Sequence, residues 1–245
     1  MPATPDQPAV TKPTARATVR VIRLGRLGYA EAFELQRAHH AEVLAGREGD
    51  SPVPGRLLLV EHDPVITVSR RASASDHLLA TPELLAHHGV AVEPTDRGGD
   101  ITYHGPGQLV AYPIVDLNAL KLRLHEYMRA LEEVVIRTVG HFDVPAIRDC
   151  SATGVWVPDG DGNPQRKIGA MGVRVRRWVT MHGLSLNVST NLEHFGLIVP
   201  CGLPGRPVTS LAVETKNRDA SVRDVADRLV VEFAEVFGVE TVEQV

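Results

Sequence analysis

Arg97-Gly98-Gly99-Asp100-Ile101-Thr102-Tyr103-His104-Gly105-Pro106-Gly107-Gln108 (RGGDITYHGPGQ) is the densest signal in the chain. Gly98–Gly107 holds four glycines and one proline, so it reads as a loop. Glycines let a backbone approach a ligand closely and expose N–H groups. Thr102, Tyr103 and His104 add polar handles, and Arg97 adds a positive charge. Composition alone leaves two readings open, a tight surface connection between strands and a ligand cradle. The stretch is not a phosphate-binding P-loop, because no Gly-Lys-Ser/Thr follows. It is not a dinucleotide fingerprint either, because GxGxxG before a helix is absent.

Working outward, Leu109–Val115 follows as a strand. Upstream, Thr81-Pro82 opens a short helix that Gly89 stops. Leu57–Glu61 is a continuous apolar run and reads as a buried strand. Pro64 ends it, and Val65–Val68 is expected as its hairpin partner. Gly49–Gly55 is a turn-rich loop, Tyr29–Leu44 has helical spacing, and Thr18–Leu24 alternates as a strand. Downstream, Leu124–Val139 is the strongest helical pattern. Gly154–Pro158 and Lys167–Val175 read as strands joined by a turn at Asp159–Asn163, and Val179–Asn187 as another strand. Val222–Phe237 reads as a helix, with Ser221 as N-cap and Gly238 as stop. Residues 1–17, rich in Pro, Thr and Ala, are expected to be a disordered tail, and residues 18–245 one domain. Strands in neighbouring groups with few helices point to an α+β fold: a mixed, largely antiparallel sheet with packed helices.

The 245 residues suffice for one packed domain, and 43% hydrophobic content supports a real core. A formal net charge of -4 argues against a general nucleic-acid binder. Met1–Ala17 lacks the basic and apolar regions of a signal peptide, and no apolar run approaches the ~20 residues that span a bilayer. A soluble cytoplasmic protein with reduced thiols and no membrane partner is expected. Cys150 and Cys201 form no CxxC, and no HExxH occurs, so no metal site is expected. Asp159-Gly160-Asp161-Gly162-Asn163 lacks the sixth-position Gly and twelfth-position Glu of a calcium loop. No GxSxG elbow occurs.

Three further segments carry candidate chemistry. In Arg166–Gly172 a lysine, Lys167, opens an otherwise apolar strand, where a solvated strand end is the common outcome. In Met181–Asn187, His182 stands beside Gly183, and a core histidine is favoured over a metal ligand. In Ile198–Leu203, Cys201 sits between Pro200 and Gly202. An isolated cysteine is commonly buried and inert, and that is the expectation for Cys150. At Cys201 the flanking Pro and Gly can leave the sulfur accessible, with following N–H groups facing an oxyanion.

Taken in order, RGGDITYHGPGQ (97–108), KIGAMGVRVRR (167–177), HGLSLNV (182–188) and PCG (200–202) resemble the octanoyltransferase family, also called lipoyl(octanoyl) transferase or lipoate-protein ligase B. The resemblance runs from about Val19 to about Phe237. It implies the catalytic-domain fold shared with biotin and lipoate ligases. It implies transfer of octanoyl from octanoyl-acyl carrier protein to a lysine of a lipoyl domain, in 2-oxoacid dehydrogenase complexes or the glycine cleavage H protein. That is the first step of making protein-bound lipoate. By motif position, Cys201 is the acyl-bearing nucleophile and Lys167 the lysine that activates it. The acyl-binding segments are Arg97, Gly98, Gly99, Asp100, Ile101, Thr102, Tyr103 and His104; Ala170, Met171 and Gly172; and Gly183, Leu184 and Ser185. Gly98 and Gly99 are expected to line the acyl tunnel through bare backbone. Ser185 departs from a usual Ala, and Ser69 from a frequent Gly before Arg70.

The implied chemistry is consistent. A free thiol has a pKa of ~8.5, and an adjacent ammonium favours the thiolate. One thioester replaces another at little cost, so neither ATP nor another cofactor is needed. An eight-carbon tail has about seven apolar carbons beyond the carbonyl, worth at most ~5–6 kcal/mol in a dry tunnel. Arg174, Arg176 and Arg177 could dock an acidic carrier, or simply charge a solvated strand edge. The nearest rival is an ATP-dependent lipoate- or biotin-type protein ligase, which needs no cysteine. A non-catalytic acyl carrier and a cysteine hydrolase using His104 or His182 as base rank lower.

Overall fold

The structure, a computed structural model, describes residues 16–48, 55–200, 205–216 and 220–244. Cys201, nearly all of the expected N-terminal tail and the turn-rich stretch before Gly55 therefore lie outside the described residues.

The large sheet has eight strands in the order β11-β1-β2-β6-β10-β9-β8-β7. These are β1 (Thr18–Leu27), β2 (Gly55–His62), β6 (Gln108–Val115), β7 (Ile147–Arg148), β8 (Val155–Pro158), β9 (Pro164–Arg176), β10 (Val179–Asn187) and β11 (Glu240–Glu243). β1 runs parallel to β2 and β11, and the remaining pairings are antiparallel. The expected mixed, largely antiparallel sheet with packed helices is borne out.

Both faces of this sheet are covered, which is why β2 and β6 read as unbroken apolar runs. Successive side chains alternate between faces. Leu57, Leu59, Leu109, Ala111, Leu184 and Leu186 meet Leu131, Val135, Leu229 and Phe233 of α3 (Leu124–Gly140) and α5 (Val222–Phe237). Leu58, Val60, Val110, Tyr112 and Ile114 meet Ala32 and Val43 of α1 (Tyr29–Ala45) on the other face. The helix ends follow their sequence signals. Ser221 and Asp224 form a capping box, and Gly238 closes α5 at φ +63°. α2 (Pro82–His88) begins with the Thr81 hydroxyl accepting the Leu84 N–H and ends at Gly89, φ +62°. No helix among the described residues is long and apolar enough to cross a membrane.

Two expectations are corrected. Val65–Val68 is a strand, β3, but not the hairpin partner of β2. It lies at the centre of a second sheet, between β4 (Ala91–Pro94, parallel) and β5 (Ile101–His104, antiparallel). The turn at Pro64 passes the chain from one sheet to the other. And Ile101–His104, hidden in the glycine-rich stretch, is that third strand, with all four residues buried. Ile66, Ile101 and Tyr103 pack there against Phe195, Leu197 and Ile198, which lead directly to Pro200.

β10 is pressed closely against β6. A Cβ added to Gly183 would lie 2.3 Å from the Ala111 carbonyl oxygen and 2.6 Å from Pro113 Cδ. Gly183→Ala is therefore expected to lower unfolding free energy by ~1–3 kcal/mol, the typical cost of overpacking. Gly160→Ala, with nothing within 4 Å of the new Cβ, should stay within about 0.5 kcal/mol of wild type in the same urea titration. Equal stability of the two variants would contradict the packing described.

Candidate active site

The site begins with small residues at matched positions. In the β9–β10 ladder Ala170 faces Ser185 and Gly172 faces Gly183. These two ranks leave a stretch of sheet nearly free of side chains. Above it runs the segment that precedes β5. The Gly98 N–H donates to the Val173 carbonyl at 2.9 Å, and a Cβ on Gly172 would sit 2.6 Å from the Gly98 carbonyl oxygen. Gly99 has φ +100°, so backbone conformation by itself demands glycine there, apart from any contact with a ligand. The Arg97 guanidinium donates to the Thr67 carbonyl (3.1 Å) and hydroxyl (2.9 Å), tying the segment to β3. Asp100 accepts from His77 Nδ1 (2.7 Å) and from the Ile101 N–H (2.9 Å).

Between floor and roof lies a cavity of about 440 Å³, within the usual range for small-ligand pockets. It brings together Arg97, Gly98, Gly99, Asp100, Ile101, Thr102, His104, Lys167, Ala170, Met171, Gly172, Gly183, Leu184 and Ser185. Met171 and Leu184 border it while also packing into the core under α3 and α5. Tyr103 does not join them. Its ring packs on Phe195, and its hydroxyl bonds His194 Nδ1 at 2.7 Å. Strand alternation turns it away from its neighbours Thr102 and His104. Sequence reasoning missed Tyr29, Arg71, Tyr112, Met128 and Ser151–Thr153, which also line the cavity. They come from distant segments and carry no local motif.

Burial disfavours the charged form of the buried histidines and favours the neutral one. Burial pushes His104 down to about 3. In that state its Nδ1–H donates to Gln108 Oε1 at 2.6 Å. Gln108 Nε2 donates to Asn187 Oδ1 (2.9 Å), Asn187 Nδ2 to the Thr209 carbonyl (2.9 Å), and the Thr209 N–H to the Lys167 carbonyl (2.9 Å). A continuous hydrogen-bonded chain thus runs from the cavity wall to the backbone of Lys167. His182 is held below its ordinary value by burial, and its Nε2 bonds Asp96 Oδ1 at 2.8 Å. The core-histidine reading of His182 holds.

Lys167 is not a solvated strand end; it is 6% exposed. Its Nζ donates to the Thr153 carbonyl at 3.1 Å and lies 4.7 Å from the centre of the Trp156 ring. The Arg206 guanidinium stacks on the same indole at 3.9 Å and donates to Asp149 Oδ2 (2.7 Å) and the Pro164 carbonyl (3.1 Å). Trp156 Nε1 donates to the Ala152 carbonyl at 3.2 Å. One buried indole therefore joins the loop 149–154, Lys167 and the segment 205–209. That segment pairs with Lys167 directly, the Lys167 N–H donating to the Pro207 carbonyl at 2.9 Å. On the other side of Cys201, Pro200 borders a small void together with Lys167, Ala170 and Val208. The described chain thus borders Lys167 both before and after residues 201–204. Cys150, expected to be buried, is exposed on the loop 149–154.

Residues 28–234 match the family described as "Lipoyl protein ligase A/B catalytic domain". An octanoyltransferase from Acidobacterium capsulatum is 43% identical over 228 residues, covering 90% of this chain and 90% of the relative. An octanoyltransferase from Solibacter usitatus is 46% identical over 218 residues, covering 89% of this chain and 92% of the relative. Among solved structures, a lipoate-protein ligase A bound with ATP superposes with a TM-score of 0.70 at 15% identity, covering 94% of this chain and 88% of that one. A biotin protein ligase from Aquifex aeolicus, in complex with biotin and ATP, gives 0.53 at 13% identity, covering 89% and 70%. At such identities these two structures share the fold.

The clamp on Trp156 is open to a pH test. Hydrogen bonds from Ser151, and then the Arg206 guanidinium, hold the Asp149 carboxyl at about 2. An unfolded aspartate titrates near ~3.9. The folded value is depressed, so Asp149 contributes stability above the unfolded value and loses it as pH falls towards the folded one. The melting-temperature gap between wild type and Asp149→Asn should be constant above pH ~4 and shrink between ~4 and ~2. A gap that does not depend on pH would show that the carboxylate charge contributes nothing.

Proposed function

The chain belongs to the lipoyl protein ligase A/B catalytic-domain family, and from that premise we propose that it is an octanoyltransferase working through a thioester on Cys201. The observation that carries this reading is the 43–46% identity to octanoyltransferases across about nine-tenths of the chain. The donor is octanoyl-acyl carrier protein. The acceptor is a lysine of a lipoyl domain, in a 2-oxoacid dehydrogenase complex or the glycine cleavage H protein. Residues 18–245 act as one catalytic domain in the cytoplasm.

The Cys201 thiolate attacks the donor carbonyl, and the carrier leaves as a thiolate that takes a proton from the Lys167 ammonium, which becomes a neutral amine. The octanoyl tail lies on the floor formed by Ala170, Ser185, Gly172 and Gly183, beneath Gly98 and Gly99. The acceptor amine then attacks the thioester. The thiolate leaves, and an amide forms that is more stable than the thioester it replaces. A protonated amine is not a nucleophile, so a proton must be removed, and the Lys167 amine is the group proposed to take it. Its support is position: buried, held by Trp156 and Thr153, and bordered by the chain on both sides of Cys201. The histidines are poor candidates for a hydrolase. A general base works best with a pKa near the operating pH. His104 accepts a proton only near pH 3, and His182 already bonds Asp96.

Cys201→Ser is expected to abolish transfer without changing the thermal melt, because a hydroxyl is far less acidic than a thiol. Intact-mass analysis after incubation with octanoyl-acyl carrier protein should show an added octanoyl group on wild type and none on the variant. Full activity of Cys201→Ser would overturn the covalent route and favour the ATP-dependent ligase. Lys167→Arg keeps a cation but cannot act as a base, since the guanidinium pKa exceeds ~12. It should acquire the acyl group and pass it on slowly; near-normal turnover would show that Lys167 supplies only charge.

A further inference from the structure

A second concave site lies beyond the acyl cavity, along the same pair of strands. In the β9–β10 ladder the rank Arg174–Met181 follows Gly172–Gly183. Around Arg174 and Met181 opens a cleft of about 510 Å³. It is lined by Arg37 of α1, Arg70 after β3, and Arg174, Arg176 and Arg177 at the end of β9, together with Asp96. Five arginines face one carboxylate, in a chain whose net charge is -4. The excess is therefore local. It is also poorly compensated. Asp96 is divided between Arg174 and His182 and Arg37 pairs with Glu34 at 3.3 Å, while Arg70, Arg176 and Arg177 are exposed and form no ion pair among the described residues.

The turn that closes β9 onto β10 supplies an independent observation. Arg177 and Trp178 are both left-handed, at φ +52° and +64°. Two-residue hairpin turns of this hand favour Asn-Gly. Each ordinary residue in that conformation costs of order 1–2 kcal/mol. Backbone strain of this kind persists where the surrounding structure over-determines it, and it clusters at binding and catalytic sites. Here it presents one arginine at the rim of the cleft.

We propose that this cleft is a binding site for a phosphorylated small molecule. The guanidinium fork matches phosphate oxygens two at a time, and arginines from three separate segments line one concavity of small-ligand size. The site is also wired to the acyl cavity. Asp96 links Arg174 on the cleft side to the His182 ring on the cavity side. An anion that recruits Arg174 competes with Asp96 for that guanidinium and loosens the support of the cavity wall. This coupling rests on the acyltransferase reading above; the binding itself does not.

Isothermal titration with inorganic pyrophosphate, at constant ionic strength balanced with sodium chloride, tests the site directly. Wild type should show saturable one-to-one binding. The double variant Arg176→Gln, Arg177→Gln should bind at least about tenfold more weakly, the worth of one charge-assisted hydrogen bond, with an unchanged melt. Pyrophosphate should raise the donor KM of wild type several-fold over its own value without pyrophosphate, and leave the donor KM of the double variant at that variant's own value without pyrophosphate. Absent binding, or equal binding by wild type and variant, would overturn the site. So would binding of a short poly-glutamate peptide in place of pyrophosphate, which would mark the cleft as a dock for an acidic protein. Because the heat of binding is read without turnover, failure of the transferase reading would leave this measurement interpretable.

Discussion

The hydrogen bond from the Gly98 N–H to the Val173 carbonyl, 2.9 Å long, sets the distance between the two sheets at the candidate site. Everything around it follows from that approach. It forbids a side chain at Gly172, whose Cβ would meet the Gly98 carbonyl oxygen at 2.6 Å, and it is reached only because Gly99 turns at φ +100°. Arg97 then fastens the same segment to Thr67 of the small sheet. The cavity is what remains where roof and floor are both backbone. A tunnel for an apolar chain needs no polar code, only room and dryness, and glycine and alanine provide both. Such a space discriminates weakly by length, since one methylene is worth only ~1–3 kcal/mol. Sharper selection requires an end wall, and His182 lies in the direction of Arg174, away from Lys167.

The polar groups around that space are arranged as a scaffold rather than as a relay of charge. His104 stays neutral because it is buried, and its hydrogen bond to Gln108 begins a series that ends at the backbone of Lys167. Every step is an amide or imidazole donating to a carbonyl-type oxygen, so no member needs to ionise. A satisfied buried network of this kind fixes geometry; leaving one member unpaired costs roughly 1–3 kcal/mol. Trp156 serves the same end from the other side. Its ring meets two cations, and its N–H meets a loop carbonyl, so three chain segments far apart in sequence share one rigid reference.

How much of this could be read in the sequence depended on whether the signal was local. Helix ends were legible because a cap is a local event: Thr81, Gly89, Ser221 and Gly238 do in the structure what their types predict. β10 was legible to the residue. β5 was not, because glycines on both sides outweighed a four-residue strand whose burial comes wholly from partners far away. The pairing of β3 failed for a related reason. Proximity in sequence favours a hairpin, but Pro64 and the demand for a second sheet send the strand elsewhere. The cavity's motif residues were found through the resemblance, and Tyr103 does not line the cavity with them, because a run of motif letters hides strand alternation. Met128 and Ser151–Thr153 had no signature at all, and the burial of Lys167 rests on Trp156, to which no motif points.

His182 carries the last constraint. It stands in a central strand at φ +57°, a conformation that non-glycine residues avoid. What holds it there is visible on both sides. The His182 N–H donates to Gln36 Oε1 of α1 at 2.8 Å, its ring lies against Phe33 with centroids 5.3 Å apart, and Asp96 holds Nε2. Helix, strand and loop thus over-determine one strained residue. The next position, 183, lies against the β6 backbone, where only glycine fits, and the His182 imidazole lines the cavity. The strain at His182 and the missing side chain at Gly183 thus stand side by side, between the cavity and the arginine-lined cleft beyond.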